Sequence, residues 1–224
     1  MKFVVIEGLD GAGKSTQIGL LREYLDDKKI SCRYLHFPRS DSPVFGDLIS
    51  MFLRGDLGEL SSVNPYLIAL IYAGDRHDAK EIINGWLKEG HVVIADRYVS
   101  SNIAFQCAKI RKPEEQVKLK NWILKLEYGY YRIPRPDIEI FLDVPFSFTE
   151  KKLKVARKGE DRKYLKGQAD IHEQNLEFQR EVRKVYLDLA AEYTGFFRID
   201  CSDDSNGILS PGDVFGKIIK LLDI

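Results

Sequence analysis

The 224-residue chain has no long apolar run. Its longest, Tyr66 to Ala73, has eight residues, whereas a bilayer span needs about 20. No membrane anchor is expected. Met1-Lys2 is followed by only four apolar residues before Glu7, too few for the core of an export signal, so cytoplasm is the expected compartment. Cysteine is scarce. Cys32, Cys107 and Cys201 lie far apart with no C-x-x-C spacing, which argues against a disulfide framework or a zinc site. Net charge is absent too: 34 Lys and Arg balance 34 Asp and Glu. That excludes a globally basic nucleic-acid coat and a globally acidic tail, so no nucleic-acid partner is expected. Any anion must be held by local cations. Repeats and low-complexity blocks are also missing.

What is present suits a packed globular chain. Apolar residues make up 44% and charged residues 30%, enough for a core with a solvated surface. The length fits one domain over 1–224 with a mobile insertion. Short apolar runs alternate with helical patterns, as in βαβ units around a parallel sheet. Strands are expected at Phe3–Ile6, Cys32–Phe37, His91–Ala95, Ile138–Leu142 and Phe196–Ile199. Helices are expected from Lys14, from Pro43, from Asn64-Pro65 as cap and first residue, around Ile82 to Leu87, from Pro113 and from Pro211.

Residues 8 to 15 read Gly8-Leu9-Asp10-Gly11-Ala12-Gly13-Lys14-Ser15, which fits G-x-x-x-x-G-K-[ST] between an apolar strand and an amphipathic helix. Glycines let the backbone approach a phosphate, and the loop N–H groups and helix N-terminus face the anion. Lys14 reaches the outer phosphates. Ser15 can offer its hydroxyl to Mg²⁺. Asp96 ends the strand after His91 and has the form of the carboxylate that serves the same ion, although a helix cap is its ordinary alternative. Arg97 follows it, and a guanidinium matches a second phosphate well. No N-K-x-D guanine reader is present, and Asp96 is followed by Arg97-Tyr98-Val99 rather than a D-x-x-G switch. A P-loop chain this small suits a kinase for a small acceptor. Lys151 to Gln168 holds six Lys, two Arg and two Gly. This stretch reads as a solvated face or as a lid closing over phosphates.

These segments resemble the thymidylate kinases, of bacterial type, over nearly the whole chain. The likeness rests on Glu7 to Thr16, Phe37-Pro38-Arg39, Asp75-Arg76, Asp96 to Asn102 with Gln106, Pro134 to Asp137, and Asp170 to Glu173 opening a long helix. It implies a doubly wound α/β P-loop kinase of about five parallel strands, helices on both faces and a lid at about 151–170. It implies phosphoryl transfer from ATP to dTMP with Mg²⁺, by a homodimer. Gly8, Asp10, Gly11, Ala12, Gly13, Lys14, Ser15 and Thr16 would hold ATP. Arg39 and Arg97 would clamp the dTMP phosphate, and Phe37 would shape the turn presenting Arg39. Asp10 would meet the sugar 3′-hydroxyl, and Tyr98 would pack against the sugar. Tyr72 would stack on thymine while Arg76, one helical turn on, bonds a base carbonyl. Ser101, Asn102 and Gln106 would complete the pocket, the last two sharing a helix face.

Each has a plainer alternative. Tyr72 could be a core aromatic, Ser101 and Gln106 helix surface, and Arg76 a partner of Asp75 or Asp78. Some relatives carry an arginine inside the P-loop where this chain has Gly11. The missing charge is then expected from Arg157, Lys158, Arg162 or Lys163, with Arg157 and Arg162 as catalytic candidates. His172 stands where relatives often carry tyrosine, and no role follows for it. Another deoxynucleotide or deoxynucleoside kinase, or a nucleotide-binding regulatory module without turnover, are the competing readings.

Overall fold

A computed structural model of the chain describes residues 2–60, 62–154, 165, 170–172, 175–205 and 207–222. In chain order its elements are β1 (Phe3–Gly8), α1 (Lys14–Asp27), β2 (Cys32–His36), α2 (Phe45–Arg54), α3 (Pro65–Asp78), α4 (Lys80–Lys88), β3 (Val92–Asp96), α5 (Val99–Cys107) and α6 (Pro113–Leu124). A π-helical turn (Lys125–Tyr130) follows, then β4 (Ile138–Asp143), α7 (Phe146–Lys154), α8 (Leu176–Glu192), β5 (Phe196–Asp200) and α9 (Pro211–Leu222). The five strands found among the described residues form one parallel sheet in the order β2-β3-β1-β4-β5.

Val- and Ile-rich runs suit strands covered on both faces, and side chains along β1 divide between two cores. Phe3 and Val5 pack with α3, α5, α6 and α8 through Ala69, Ile103, Leu119 and Val182. Val4 and Ile6 face the other way, onto Ile18, Leu21 and Leu25 of α1 and Val214, Ile218 and Leu222 of α9. Burying each such Leu or Ile fully is worth about 1.5–3 kcal/mol. Because β1 is central and Ile6 pairs with Asp96, the carboxyl ends of β1 and β3 open side by side. That is where an open α/β sheet binds ligands.

Asn64 caps α3, its side chain accepting from the Tyr66 amide (2.9 Å), with Pro65 in the first turn. Two expectations need correction. The long helix does not open at Asp170. It starts at Leu176, where Asn175 accepts from the Phe178 amide (2.9 Å), while Asp170 accepts from the His172 amide in a local turn. α2 begins at Phe45 rather than Pro43, because Val44 takes φ 65°, outside helical space. Most of the 151–170 stretch, including Arg157, Lys158, Arg162 and Lys163, lies outside the described residues.

Candidate active site

Gly13 sits at φ 83° immediately before α1, and Gly11 at φ 79°. That left-handed backbone turns the loop so that its amides point off the helix end. Gly8 serves differently: a Cβ there would meet Ala12 Cβ at 3.1 Å. Lys14 is buried, its Nζ donating to the carbonyls of Leu9 (3.2 Å) and Gly8 (3.5 Å). Burial, then the nearby Arg97 charge, lower its pKa, against the opposing pull of Asp96, Asp10 and Glu7. An arriving phosphate would relieve that. Ser15 and Thr16 are exposed in the first turn.

The loop forms one end of a cavity of about 1120 Å³. Its walls include Asp10 to Thr16, Phe37, Arg39, Tyr72, Arg76, Asp96, Arg97, Tyr98, Ser101, Asn102 and Gln106. Every expected site residue that is described therefore meets here except Gly8, which ends β1 behind the loop. Arg157 and Arg162 fall outside the described residues.

Arg97 has φ 68°, an uncommon conformation for a side-chain-bearing residue and a form of stored strain. Its Nη2 donates to Asp10 Oδ1 (2.8 Å) and its Nη1 to Ser101 Oγ (3.1 Å), and the guanidinium lies 5.0 Å from the Phe105 ring centre. Asp10 also accepts from Gln179 Nε2 (3.2 Å). Arg39 is turned onto α3, donating to Asp75 Oδ1 (2.8 Å) and Asp78 Oδ2 (2.6 Å). Asp75 thus serves Arg39, while Arg76 pairs with neither Asp75 nor Asp78. Its Nε and Nη2 donate to the two oxygens of Glu127 at 2.5 and 2.6 Å.

Asp96 binds His36 Nδ1 through Oδ2 (3.3 Å), and its buried Oδ1 has no partner among the described residues. Burial would raise its pKa, but Lys14, His36 and Arg97 together carry it below the usual carboxylate range. An ionised, unpaired oxygen beside a phosphate loop fits a hard cation such as Mg²⁺. No cluster of three acidic, His or Cys side chains exists among the described residues, so such an ion would take most of its ligands from phosphates and water.

The far end carries amides whose orientation is decided by their partners. Asn102 Nδ2 donates to the Ala69 carbonyl (3.0 Å) and Glu127 Oε1 (2.9 Å). Both of those only accept, so the amide nitrogen must face them. Oδ1 is left buried without a partner among the described residues. Gln106 Oε1 accepts from Lys109 Nζ (2.8 Å), and its Nε2 is likewise unpartnered. Tyr72 lines the same end. Tyr98 belongs to the wall behind it: its side chain is buried against Phe3 and Phe37, and its hydroxyl donates to the Pro134 carbonyl (3.1 Å).

Several contributors escape sequence reasoning. Glu7 accepts from the Tyr98 amide (2.8 Å), the Ser101 amide (3.1 Å), Ser101 Oγ (2.5 Å) and Tyr186 Oη (2.9 Å). A carboxylate there satisfies the Tyr98 and Ser101 N–H groups at the start of α5 and suits the positive end of its dipole. Ser101 is thereby a member of a buried network as well as a cavity wall. Phe105 and His172 both line the cavity and pack together, ring centres 5.0 Å apart. Glu127 and Gln179 act from behind. Glu7 and His172 lie inside segments the sequence singles out, though without a role, whereas Phe105, Glu127 and Gln179 carried no signal.

The likeness to known proteins extends over the same elements. A family model described as thymidylate kinase matches residues 6–208. A probable thymidylate kinase of Pyrobaculum aerophilum is 37% identical over 204 residues, 90% of this chain and 89% of its own length. One of Pyrococcus horikoshii is 34% identical over 221 residues, 98% and 95% of the two chains. The thymidylate kinase of Mycobacterium tuberculosis is 31% identical over 192 residues, 86% and 87%. The solved thymidylate kinase of Candida albicans superposes with a TM-score of 0.73 at 24% identity, covering 99% of this chain and 91% of its own, which speaks for the fold. P-loop, strand-end carboxylate and far pocket all lie inside the matched span, and the chain belongs to the thymidylate kinase family.

Proposed function

We propose that the chain transfers the γ-phosphoryl group of ATP to the phosphate of dTMP, giving dTDP and ADP. One observation carries the choice of acceptor. Asn102 Oδ1 is a buried acceptor that needs a donor, and Arg76, held on the same Glu127 through Nε and Nη2, keeps further N–H donors and lines the same cavity. Thymine offers an N–H at N3 next to a carbonyl at O4, the complement of that pair. Cytosine offers a bare ring nitrogen and an amino group there, the reverse. Leaving such groups unpaired costs about 1–3 kcal/mol each. Tyr72 supplies the stacking face and Gln106 a further donor.

The remaining roles follow the chain's own groups. The loop amides, Lys14, Ser15 and Thr16 hold the ATP phosphates. Arg97 and Arg39 bind the acceptor phosphate, Arg39 turning from Asp78 to do so. Asp10, already on Arg97, meets the sugar 3′-hydroxyl and steadies the acceptor. Ser15 and Asp96 would hold Mg²⁺, which when bound neutralises phosphate charge. No covalent enzyme intermediate is required, so catalysis is positioning plus charge stabilisation. Gly11 brings no cation to the loop, and Arg157 or Arg162 from a lid at about 151–170 would supply it. Steady-state kinetics on the double variant Arg157→Ala/Arg162→Ala test this: kcat should fall by about 10²-fold or more, and a wild-type kcat removes the lid role. One kinase domain over 1–224, a homodimer and a cytoplasmic place complete the reading. No helix of the described residues is long and apolar enough to cross a membrane.

The deciding experiment is a screen of nucleoside monophosphates as acceptors with ATP and Mg²⁺, following ADP release. dTMP should lead, with dCMP and the purine nucleotides far behind. No acceptor-dependent ADP release would favour a regulatory nucleotide-binding module. An unphosphorylated nucleoside as best acceptor would favour a deoxynucleoside kinase.

A further inference from the structure

The Arg76–Glu127 pair lies at the junction of three elements. Arg76 comes from α3, Asn102 from α5, and Glu127 from the π-helical turn that ends α6. Glu127 is fully buried and does not line the cavity. Its two oxygens take three donors: Arg76 Nε (2.5 Å), Arg76 Nη2 (2.6 Å) and Asn102 Nδ2 (2.9 Å). The turn is what brings it inward. The Tyr131 amide donates to the Leu126 carbonyl (2.8 Å), five residues back, so the helix is locally widened by a residue. Such widened turns recur at functional sites.

One shared carboxylate thus fixes the orientation of Arg76, always a donor, and decides which end of the Asn102 amide is presented. A guanidinium held side-on through Nε and Nη2 presents its outer edge, the Nη1 hydrogens and the second hydrogen of Nη2, and every one of these is a donor. An amide whose nitrogen is held by a carboxylate can present only its oxygen. Without Glu127, the Ala69 carbonyl alone would anchor Asn102, and a turned amide would present a donor instead. We propose that Glu127 is the positioning residue for base selection, holding Arg76 and Asn102 as a donor–acceptor pair that accepts a 2,4-dioxopyrimidine and rejects a 4-aminopyrimidine. The proposal rests on the dTMP reading above.

The test compares kcat/KM for dTMP and dCMP in the wild type and in Glu127→Gln, with KM for ATP measured alongside. Gln keeps the shape but can offer either oxygen or nitrogen, so it no longer dictates the amide. The dTMP-to-dCMP ratio should fall by about tenfold or more, the loss of one correctly paired group, chiefly through KM, while KM for ATP stays within about twofold. General loosening would instead lower both acceptors together and raise KM for ATP. Glu127→Asp guards against simple misfolding. It keeps a counter-charge for Arg76, but its shorter arm cannot serve Asn102 as well, so the ratio should fall there too. An unchanged ratio in folded Glu127→Gln or Glu127→Asp overturns the proposal. A wild type that does not discriminate dTMP from dCMP overturns the dTMP reading itself.

Discussion

Lys14 rests on the carbonyls of Leu9 and Gly8, and these are weak partners for an ammonium taken out of water. Its lowered pKa records that deficit, and an ATP phosphate would replace two dipoles with full charges. Most of its value is therefore expressed in the nucleotide complex and not in folding. Lys14→Ala should cut kcat by on the order of 10²–10³-fold, the usual cost of losing a charge that stabilises a transition state. The melting temperature should move little, since only two backbone carbonyls lose a partner. Kinetics with a thermal melt on the same preparation check both halves, and a near-normal kcat removes the P-loop assignment. Arg76 behaves in the opposite way: deleting it would strip the buried Glu127 of its ion-pair partner and leave it only the Asn102 amide, so its loss damages the fold as well as the pocket.

At the scale of elements, legibility follows burial pattern. β1, α1 and α9 are readable because an apolar run or stripe separates cleanly from polar neighbours. α5 is not readable by periodicity. All nine of its residues, Val99 to Cys107, are buried, so no stripe exists. Only the spacing of Asn102 and Gln106 hints at a helix. The π-helical turn is invisible for a related reason: Glu127 in Lys125-Leu126-Glu127-Tyr128 reads as helix surface, and its partner Arg76 is 51 residues away. The P-loop is legible because its chemistry depends on contiguous backbone, whereas the base pocket is assembled from three separate segments.

The β4–α5 contact carries a pH signature. Ser100 on α5 donates to Glu139 on β4 (2.5 Å). Burial, and then the Glu7 charge, push the Glu139 carboxyl up to about 8, against the pull of Ser100 and Arg135. A carboxyl that holds its proton more tightly folded than unfolded stabilises at low pH and loses that contribution as pH rises through the folded value. Between about pH 5 and the folded value, wild-type stability should therefore decline relative to Glu139→Gln, which stays neutral throughout. Denaturant midpoints for both proteins across that range decide it. A parallel pair of curves would mean that Glu139 is ionised in the fold.

For the whole molecule, the balanced charge leaves anion binding to local cations at the strand ends, and the outer surface is left to other contacts. Leu67 and Leu70 on α3 are 58% and 39% exposed, and Val117 on α6 is 49% exposed. The two helices are braced by Tyr66 and Trp122, ring centres 5.1 Å apart. Large apolar side chains left in water on neighbouring helices suit a second copy of the chain, which is the homodimer proposed above. The same α3 carries Tyr72 and Arg76 into the cavity, so a partner seated on its outer face would also steady the base-reading end. Leu67→Glu places a charge in the middle of that face. Light scattering should show the wild type at twice the chain mass and the variant at the chain mass. KM for dTMP should rise in the variant while KM for ATP, whose loop leads into α1 on the opposite face of the sheet from α3, stays nearly constant. A wild type that is already monomeric removes the dimer. A monomeric variant with unchanged KM for dTMP separates the dimer from the pocket and leaves α3 stiff enough alone.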